Sequence, residues 1–270
     1  MPPATAETLA HSLRPLTDAP DRAAIFCDVD GTLAPIVERA EQAAVPQELS
    51  RLLGTIGRRF PCVACVSGRS AAEARRLVGV GSIVYVGAHG AELLEPGSRT
   101  TRVNPAFAGW ASRVHRFADS LDLRSLRTLR VRLEDKGTIV ALHWRGAPDE
   151  PAAERTVAVI AAQAEAAGLG VHRGRKVLEV RPPVPVDKGR VVRELVLRSG
   201  VRTALFAGDD TADLDGFAAL DALCEEGALD AAVRVGVASE DGPPAIVERA
   251  DLVVDGVNGF AGVLAVLARA

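Results

Sequence analysis

The sequence predicts an α/β fold: a doubly wound parallel sheet interrupted by an inserted α+β module. Three observations carry that prediction. Short apolar runs recur at Ala23 to Cys27, Cys62 to Val66, Ser82 to Val86 and Thr203 to Ala207, as in strands buried on both faces of a parallel sheet. Segments of helical spacing follow several of them. From about residue 103 to 183 the pattern changes to short alternating strands with tight turns, which indicates an antiparallel sheet with helices on one face.

Composition sets the bounds. At 270 residues and 48% hydrophobic content the chain fills one large α/β domain or two smaller ones. A net charge of -3 gives no sign of a nucleic-acid surface. No apolar run approaches a membrane span. Met1 to Asp21 shows helical spacing in Leu9, Leu13 and Leu16 but lacks the basic start and apolar stretch of a signal peptide. The expectation is a cytoplasmic protein, a monomer or weak oligomer, with neither nucleic acid nor membrane as partner.

Taken in order, Ala23 to Cys27 runs into Asp28-Val29-Asp30-Gly31-Thr32. Such an ending sends two carboxylates off the carboxyl edge of a sheet, where open α/β sheets hold ligands. Like charges this close need a cation between them or a retained proton; an ordinary Asp-Gly turn is the other reading. Leu49, Leu52, Leu53 and Ile56 space a helix within Val45 to Phe60, with Pro46 at its start. The strand Cys62 to Val66 ends at Ser67-Gly68-Arg69-Ser70 before a helix over Ala71 to Val78. Ser67 there is either a helix N-cap or the edge of an anion site built with free backbone N–H groups. Ser82 to Val86 leads into Gly87-Ala88-His89-Gly90-Ala91-Glu92, which puts His89 on a loop with a choice between touching substrate and packing.

Within the insertion, a helix-like piece (Phe107 to Leu121) precedes strands over Leu129 to Glu134 and Thr138 to Arg145, turned at Asp135-Lys136-Gly137. An alanine-rich helix, Pro151 to Ala167, stops at Gly168. Short strands near Val171-His172 and Val177 to Val180 follow, and Pro182, Pro183 and Pro185 make a stiff return link. The expected division is residues 1–102 with 184–270 for the core and 103–183 for the insertion. Beyond it Asp187-Lys188-Gly189 opens a helix (Arg190 to Arg198), and Thr203 to Ala207 ends in a second acidic knot, Gly208-Asp209-Asp210-Thr211-Ala212-Asp213. Such hard oxygen ligands suit Mg²⁺. Strands Ala232 to Val237 and Leu252 to Val254 precede a helix over Gly259 to Ala268.

Two counts refine this. Of four cysteines, only Cys62-x-x-Cys65 has motif spacing; on a strand, residues three apart face opposite ways, so the pair reads as structural, buried and reduced. Only three of 32 basic residues are lysines, Lys136, Lys176 and Lys188. A compact ammonium balances a phosphorylated carboxylate at one point in a way a planar guanidinium does not.

The ordered set Asp-x-Asp-Gly-Thr, Ser-Gly, Lys at a helix start and Gly-Asp-Asp resembles the haloacid dehalogenase superfamily of phosphohydrolases. The resemblance implies a Rossmann-like core with an inserted cap. It makes Asp28 the nucleophile, Asp30 the general acid/base, and Ser67 with Gly68 the grip on the phosphoryl group. Lys188 would stabilise that group. Mg²⁺ would lie on Asp28, Asp209 and the Asp30 main-chain carbonyl. Thr32, Asp210 and Asp213 would support the site, Asp210 as orienter, with Asp213 open to being a cap.

Four further pieces resemble trehalose-6-phosphate phosphatases: residues 87–92, Glu134-x-Lys136, His143-Trp144-Arg145 and Glu179-Val180-Arg181-Pro182. Leu214 stands where that family tends to carry an acidic residue, and Trp144 where Tyr is usual. The resemblance implies a small-molecule sugar phosphate substrate, bound by His89, Glu134, Lys136, Glu179 and Arg181, with Glu134, Lys136 and Glu179 reading its hydroxyls from a lid-like cap. Glu134, Lys136 and Arg181 as solvated cross-strand pairs are the other reading. The expected reaction is hydrolysis of trehalose 6-phosphate through an aspartyl-phosphate. A phosphatase for a sucrose- or mannosylglycerate-type phosphate, or a non-catalytic Mg²⁺/phosphate-binding module, are the alternatives.

Overall fold

A computed structural model of the chain describes residues 5–37, 42–107, 109–174, 176–183, 187–240 and 242–270, leaving aside the side chain of residue 106. The elements run, in order, α1 (Ala6–Ser12), α2 (Arg14–Thr17), β1 (Ala23–Cys27), α3 (Gln47–Ile56), β2 (Cys62–Val66), α4 (Ala71–Val78), β3 (Val84–Gly87), β4 (Glu92–Leu94) and β5 (Arg102–Val103). Next come α5 (Trp110–Asp119), α6 (Leu123–Thr128), β6 (Arg132–Asp135), β7 (Val140–His143), α7 (Glu150–Ala166), β8 (Gly170–Gly174) and β9 (Val177–Arg181). The chain closes with α8 (Lys188–Ser199), β10 (Thr203–Gly208), α9 (Leu214–Glu225), β11 (Ala231–Ala238), α10 (Pro244–Arg249), β12 (Leu252–Asp255) and α11 (Gly256–Leu267).

The larger sheet has the order β12-β11-β10-β1-β2-β3-β4-β5. Neighbours from β12 through to β3 are parallel, and β4 runs antiparallel to β3. The doubly wound expectation is met because β1 is buried along its whole length. A strand with both faces apolar needs helices on both sides of the sheet. Ala23, Ile25 and Cys27 of β1 pack with Leu9, Leu13, Leu16, Leu53 and Phe260 on one side. Ala24 and Phe26 pack with Val192, Leu195, Phe217 and Leu220 on the other. The single helical spacing expected in the first residues is split over two short helices, Leu9 in α1, Leu16 in α2 and Leu13 between them, all three facing the core and Leu13 and Leu16 fully buried.

The cysteine reading holds: Cys62 and Cys65 fall in opposite core layers. Cys65 instead faces Cys27 on the neighbouring strand, their sulfurs 3.9 Å apart and both thiols free. Strand pairing set this neighbour, and no sequence spacing announces it.

The helix expected over Val45 to Phe60 is shorter, Gln47–Ile56, because Pro46 stays extended at its cap (ψ 135°) and the chain turns after Gly57. Helices α6, α9 and α10 and the short strands β4 and β5 were not read from the sequence. In α9 the signal was masked by the acidic knot directly before it, although Phe217, Leu220 and Leu223 are buried at helical spacing.

The chain divides into two compact units, Met1–Arg102 with Val186–Ala270, and Val103–Pro185. The expected return into the core at 183/184 adjoins residues 184–186, which lie outside the described residues. The second unit holds an antiparallel sheet of order β6-β7-β9-β8. Val140, Leu142, Leu178 and Val180 pack one face of it against Val114, Leu126, Val157 and Ile160. The alternate residues Glu134, Ala141 and Glu179 form a row across the opposite face, as the two-residue period of a strand requires.

Candidate active site

Strands β1 and β10 are adjacent and parallel, with Cys27 opposite Ala207. From β1 the sheet grows one way through β2 and β3, and from β10 the other way through β11 and β12. Their carboxyl ends therefore border the crevice where such sheets bind ligands. Asp28 and Asp209, 181 positions apart in the chain by their numbers, leave the sheet side by side there. The Asp28 amide donates to the Ala207 carbonyl at 2.9 Å. Gly31 turns the chain past this point with φ +92°, and any side chain on it would run into the Asp209 carboxylate. This turn demands glycine twice over, for its backbone angle and for its space.

Asp28, Asp209, Asp213 and Lys188 are all buried. The Lys188 ammonium donates to Asp28 Oδ1 at 2.6 Å and to Asp213 Oδ1 at 2.7 Å. Asp213 Oδ2 accepts the amides of Asp209 and Asp210, each at 3.0 Å. Thr32 donates to Asp209 Oδ1 at 3.2 Å. Lys188 reaches inward because it is the first residue of α8, whose preceding Asp187 caps the helix by accepting from the Arg190 amide.

Three carboxylates thus share one ammonium in a site away from water. Burial pushes the Asp209 carboxyl up to about 7, and the Asp213 charge adds to it. Burial likewise pushes Asp28 well up, against the pull of Lys188 and with the push of Asp213, Asp209 and Asp30. Burial would lower Lys188, but the charges of Asp213 and Asp28 more than offset it and hold the ammonium protonated. The surplus negative charge calls for a proton or a cation.

Carboxylate oxygens of Asp28, Asp209 and Asp213 lie within 4.8 Å of one another, the one such group among the described residues. Asp213 already has both oxygens engaged, so Asp28 and Asp209 are the two that retain free acceptor capacity towards a cation. The orienting role expected of Asp210 thus falls to Asp213, which also takes part in the cap it was open to being, by accepting from the Asp210 amide. Asp213, fully buried, orients Lys188 and the Asp209 backbone. Asp210 is exposed and caps the following turn, accepting from the Thr211 amide at 2.7 Å. Spacing alone did not tell which of the two carboxylates turns inward.

Of the two readings of Ser67, the helix cap is excluded. The N-cap of α4 is Ser70, which accepts from the Glu73 amide. Ser67 is fully buried one turn earlier, its hydroxyl accepting from the Arg69 amide at 3.1 Å. The segment 87–92 clamps this loop: Ala88 N donates to Arg69 O at 2.7 Å and His89 N to Ser67 O at 3.0 Å. Glu92 accepts from the Ala71 amide at 2.8 Å. His89 lies against Gly68, where a side chain would strike its ring, and it holds a left-handed φ of 55°. A non-glycine residue in that region is strained, and such strain collects at functional sites.

Sequence reasoning missed Arg69. Its Nε and Nη2 donate to the two oxygens of Asp30, each at 2.7 Å. Asp30 is thereby tied to the Ser67 loop. One arginine in an arginine-rich chain carries no distinguishing signal.

Of the expected substrate-binding residues, His89 belongs to the first unit, and Glu134, Lys136, Glu179 and Arg181 lie in the second. Lys136 donates to Glu179 at 2.9 Å, and Glu134 pairs with His143 at 2.7 Å. That hydrogen bond from His143 holds the Glu134 carboxyl below its usual range. Arg181 ends β9, opposite Gly170 of β8. The strands thus bring Glu134, Lys136 and Glu179 together.

The family model described as Trehalose-phosphatase matches residues 26–241. The chain belongs to that family. A trehalose-phosphate phosphatase of Mycobacterium marinum is 34% identical over 204 residues, covering 74% of this chain and 52% of that one. A Mycobacterium tuberculosis protein called an uncharacterized glycosyl hydrolase is 35% identical over 209 residues, 74% of this chain but 15% of its own length. The chain spans about half the length of the trehalose-phosphate phosphatases it matches. The C-terminal domain of Candida albicans trehalose-6-phosphate phosphatase has the same fold, with a TM-score of 0.76 at 22% identity over 99% of this chain and 98% of that one.

Proposed function

We propose that the chain hydrolyses trehalose 6-phosphate to trehalose and phosphate, with Mg²⁺ at the buried carboxylates and Asp28 as nucleophile. The observation that carries this reading is the convergence of Asp28, Asp209 and Lys188 at the sheet's switch point, in a chain of the trehalose-phosphatase family. The donor set suits a hard cation, since it is all oxygen and over-charged without one. Asp28, Asp209 and the Asp30 main-chain carbonyl would hold Mg²⁺, which when bound would supply charge withdrawal from the phosphate oxygens.

The rest is work for the chain's own residues. An Asp28 oxygen attacks phosphorus, and the bond from phosphorus to the sugar oxygen breaks. Asp30 gives its proton to that oxygen, so neutral trehalose leaves. Lys188 stabilises the phosphoryl group as charge shifts onto it, while Ser67 and Gly68 grip its oxygens. Asp30, now a carboxylate, takes a proton from water as the water oxygen attacks phosphorus. The bond to Asp28 breaks, phosphate departs and both aspartates return to their starting states. Glu134, Lys136 and Glu179 read the sugar hydroxyls, and a site built that way rejects analogues lacking them by roughly 10⁴-fold.

Phosphate release measured on trehalose, sucrose and glucose 6-phosphates with Mg²⁺ present tests this. Trehalose 6-phosphate is expected to give the highest kcat/KM, and Asp28→Asn to bring it below detection. Equal turnover of all three sugars removes the substrate assignment, and undiminished turnover by Asp28→Asn removes the covalent step.

A further inference from the structure

We infer that Arg69 is the positioning residue for Asp30, so that the loop carrying Ser67 also sets the proton-transfer group. The inference rests on the proposed role of Asp30. Asp28 is fixed by burial and by Lys188, whereas Asp30 has a side chain 39% exposed and would swing freely about its own bonds. What holds it is a two-pronged contact, Arg69 Nε to Oδ2 and Nη2 to Oδ1, both at 2.7 Å. A planar guanidinium gripping both oxygens fixes the plane of the carboxylate as well as its position, which a point charge does not.

Arg69 is itself held well. Its side chain is only 13% exposed. Its amide donates to Ser67 Oγ at 3.1 Å, and its carbonyl accepts from Ala88 N at 2.7 Å. Asp30 and the Ser67 loop are therefore joined across β1 and β2 by the Arg69–Asp30 ion pair. Placement to a fraction of an ångström governs proton transfer. An arginine whose task is to aim Asp30 matters only when the leaving oxygen needs a proton.

The test uses that dependence on the leaving group. Wild type, Arg69→Ala, Arg69→Lys and Asp30→Asn are assayed with Mg²⁺ on trehalose 6-phosphate, whose alkoxide leaves poorly, and on p-nitrophenyl phosphate, whose phenolate leaves unaided. Arg69→Ala is expected to lose about 10²-fold in kcat on the sugar phosphate, the scale of general acid catalysis, and under about 3-fold in formation of the aspartyl-phosphate from the aryl phosphate, read as the p-nitrophenol burst. The retained burst shows that the variant folds. Arg69→Lys should resemble Arg69→Ala, added guanidinium should restore part of the sugar-phosphate rate, and Arg69→Ala/Asp30→Asn should be no worse than Asp30→Asn alone. Equal losses on both substrates place Arg69 on the phosphoryl group and overturn the inference, as does no loss on either. If Asp30→Asn itself shows no dependence on the leaving group, the role of Asp30 fails first, and the inference falls with it for that separate reason.

Discussion

Asp209 shows how burial and like charge act on single residues. Its ordinary carboxyl value of 3.8 rises to about 7 in the folded protein. Between those values the folded chain keeps a proton that the unfolded chain has released, so stability contributed by this group falls as pH rises from about 4 to 7 and is flat above. Asp28 is shifted in the same sense. A divalent cation held by these carboxylates, as proposed above, would compete with that proton and remove the penalty. The expected outcome is that MgCl₂ raises Tm at pH 8 clearly more than at pH 5, measured by thermal unfolding at both. A larger gain at pH 5 rules out cation binding at these carboxylates. At this scale the sequence was legible wherever a polar residue ends an apolar run or opens a helix, as Asp28, Asp209, Ser67 and Lys188 do. It was not legible for Arg69, nor for Asp213 rather than Asp210 as the orienting carboxylate, because both depend on which way a side chain turns.

Among the elements, α4 separates two serines that look alike in sequence. Ser70 caps the helix, and its hydroxyl also meets Glu73 Oε2 at 2.9 Å. Ser70→Ala is expected to cost about 1 kcal/mol in urea unfolding while leaving kcat unchanged. Ser67→Ala is expected to do the opposite, lowering turnover with little change in stability. A matching loss of stability in Ser67→Ala would make Ser67 a structural residue. The same loop explains why residues 87–92 form a recognisable sequence block. Gly87 passes so close to the backbone of Ala71 that no side chain fits between them. The block is therefore a template for the Ser67 loop, and His89 is fixed by that duty.

For the molecule as a whole, the two compact units have separate cores, and both tryptophans, Trp110 and Trp144, belong to the inserted one. Tryptophan fluorescence should accordingly report unfolding of the inserted unit alone. Leu142→Ala, which empties a fully buried position between its sheet and helices, is expected to cost about 2–5 kcal/mol. That loss should shift the fluorescence transition to lower urea, with slow hydrogen exchange in β1 and β10 left as it was. Loss of protection in β1 and β10 would show that the two cores unfold as one.

The sequence by itself determined the alternation of strand and helix, the place of the insertion and the acidic strand ends, because apolar periodicity and turn residues are local properties. Only the tertiary structure decided that β1 lies against β10, that Asp213 rather than Asp210 faces Lys188, and that Arg69 holds Asp30. Those outcomes depend on strand order and side-chain direction, which are settled by packing between residues far apart in the chain.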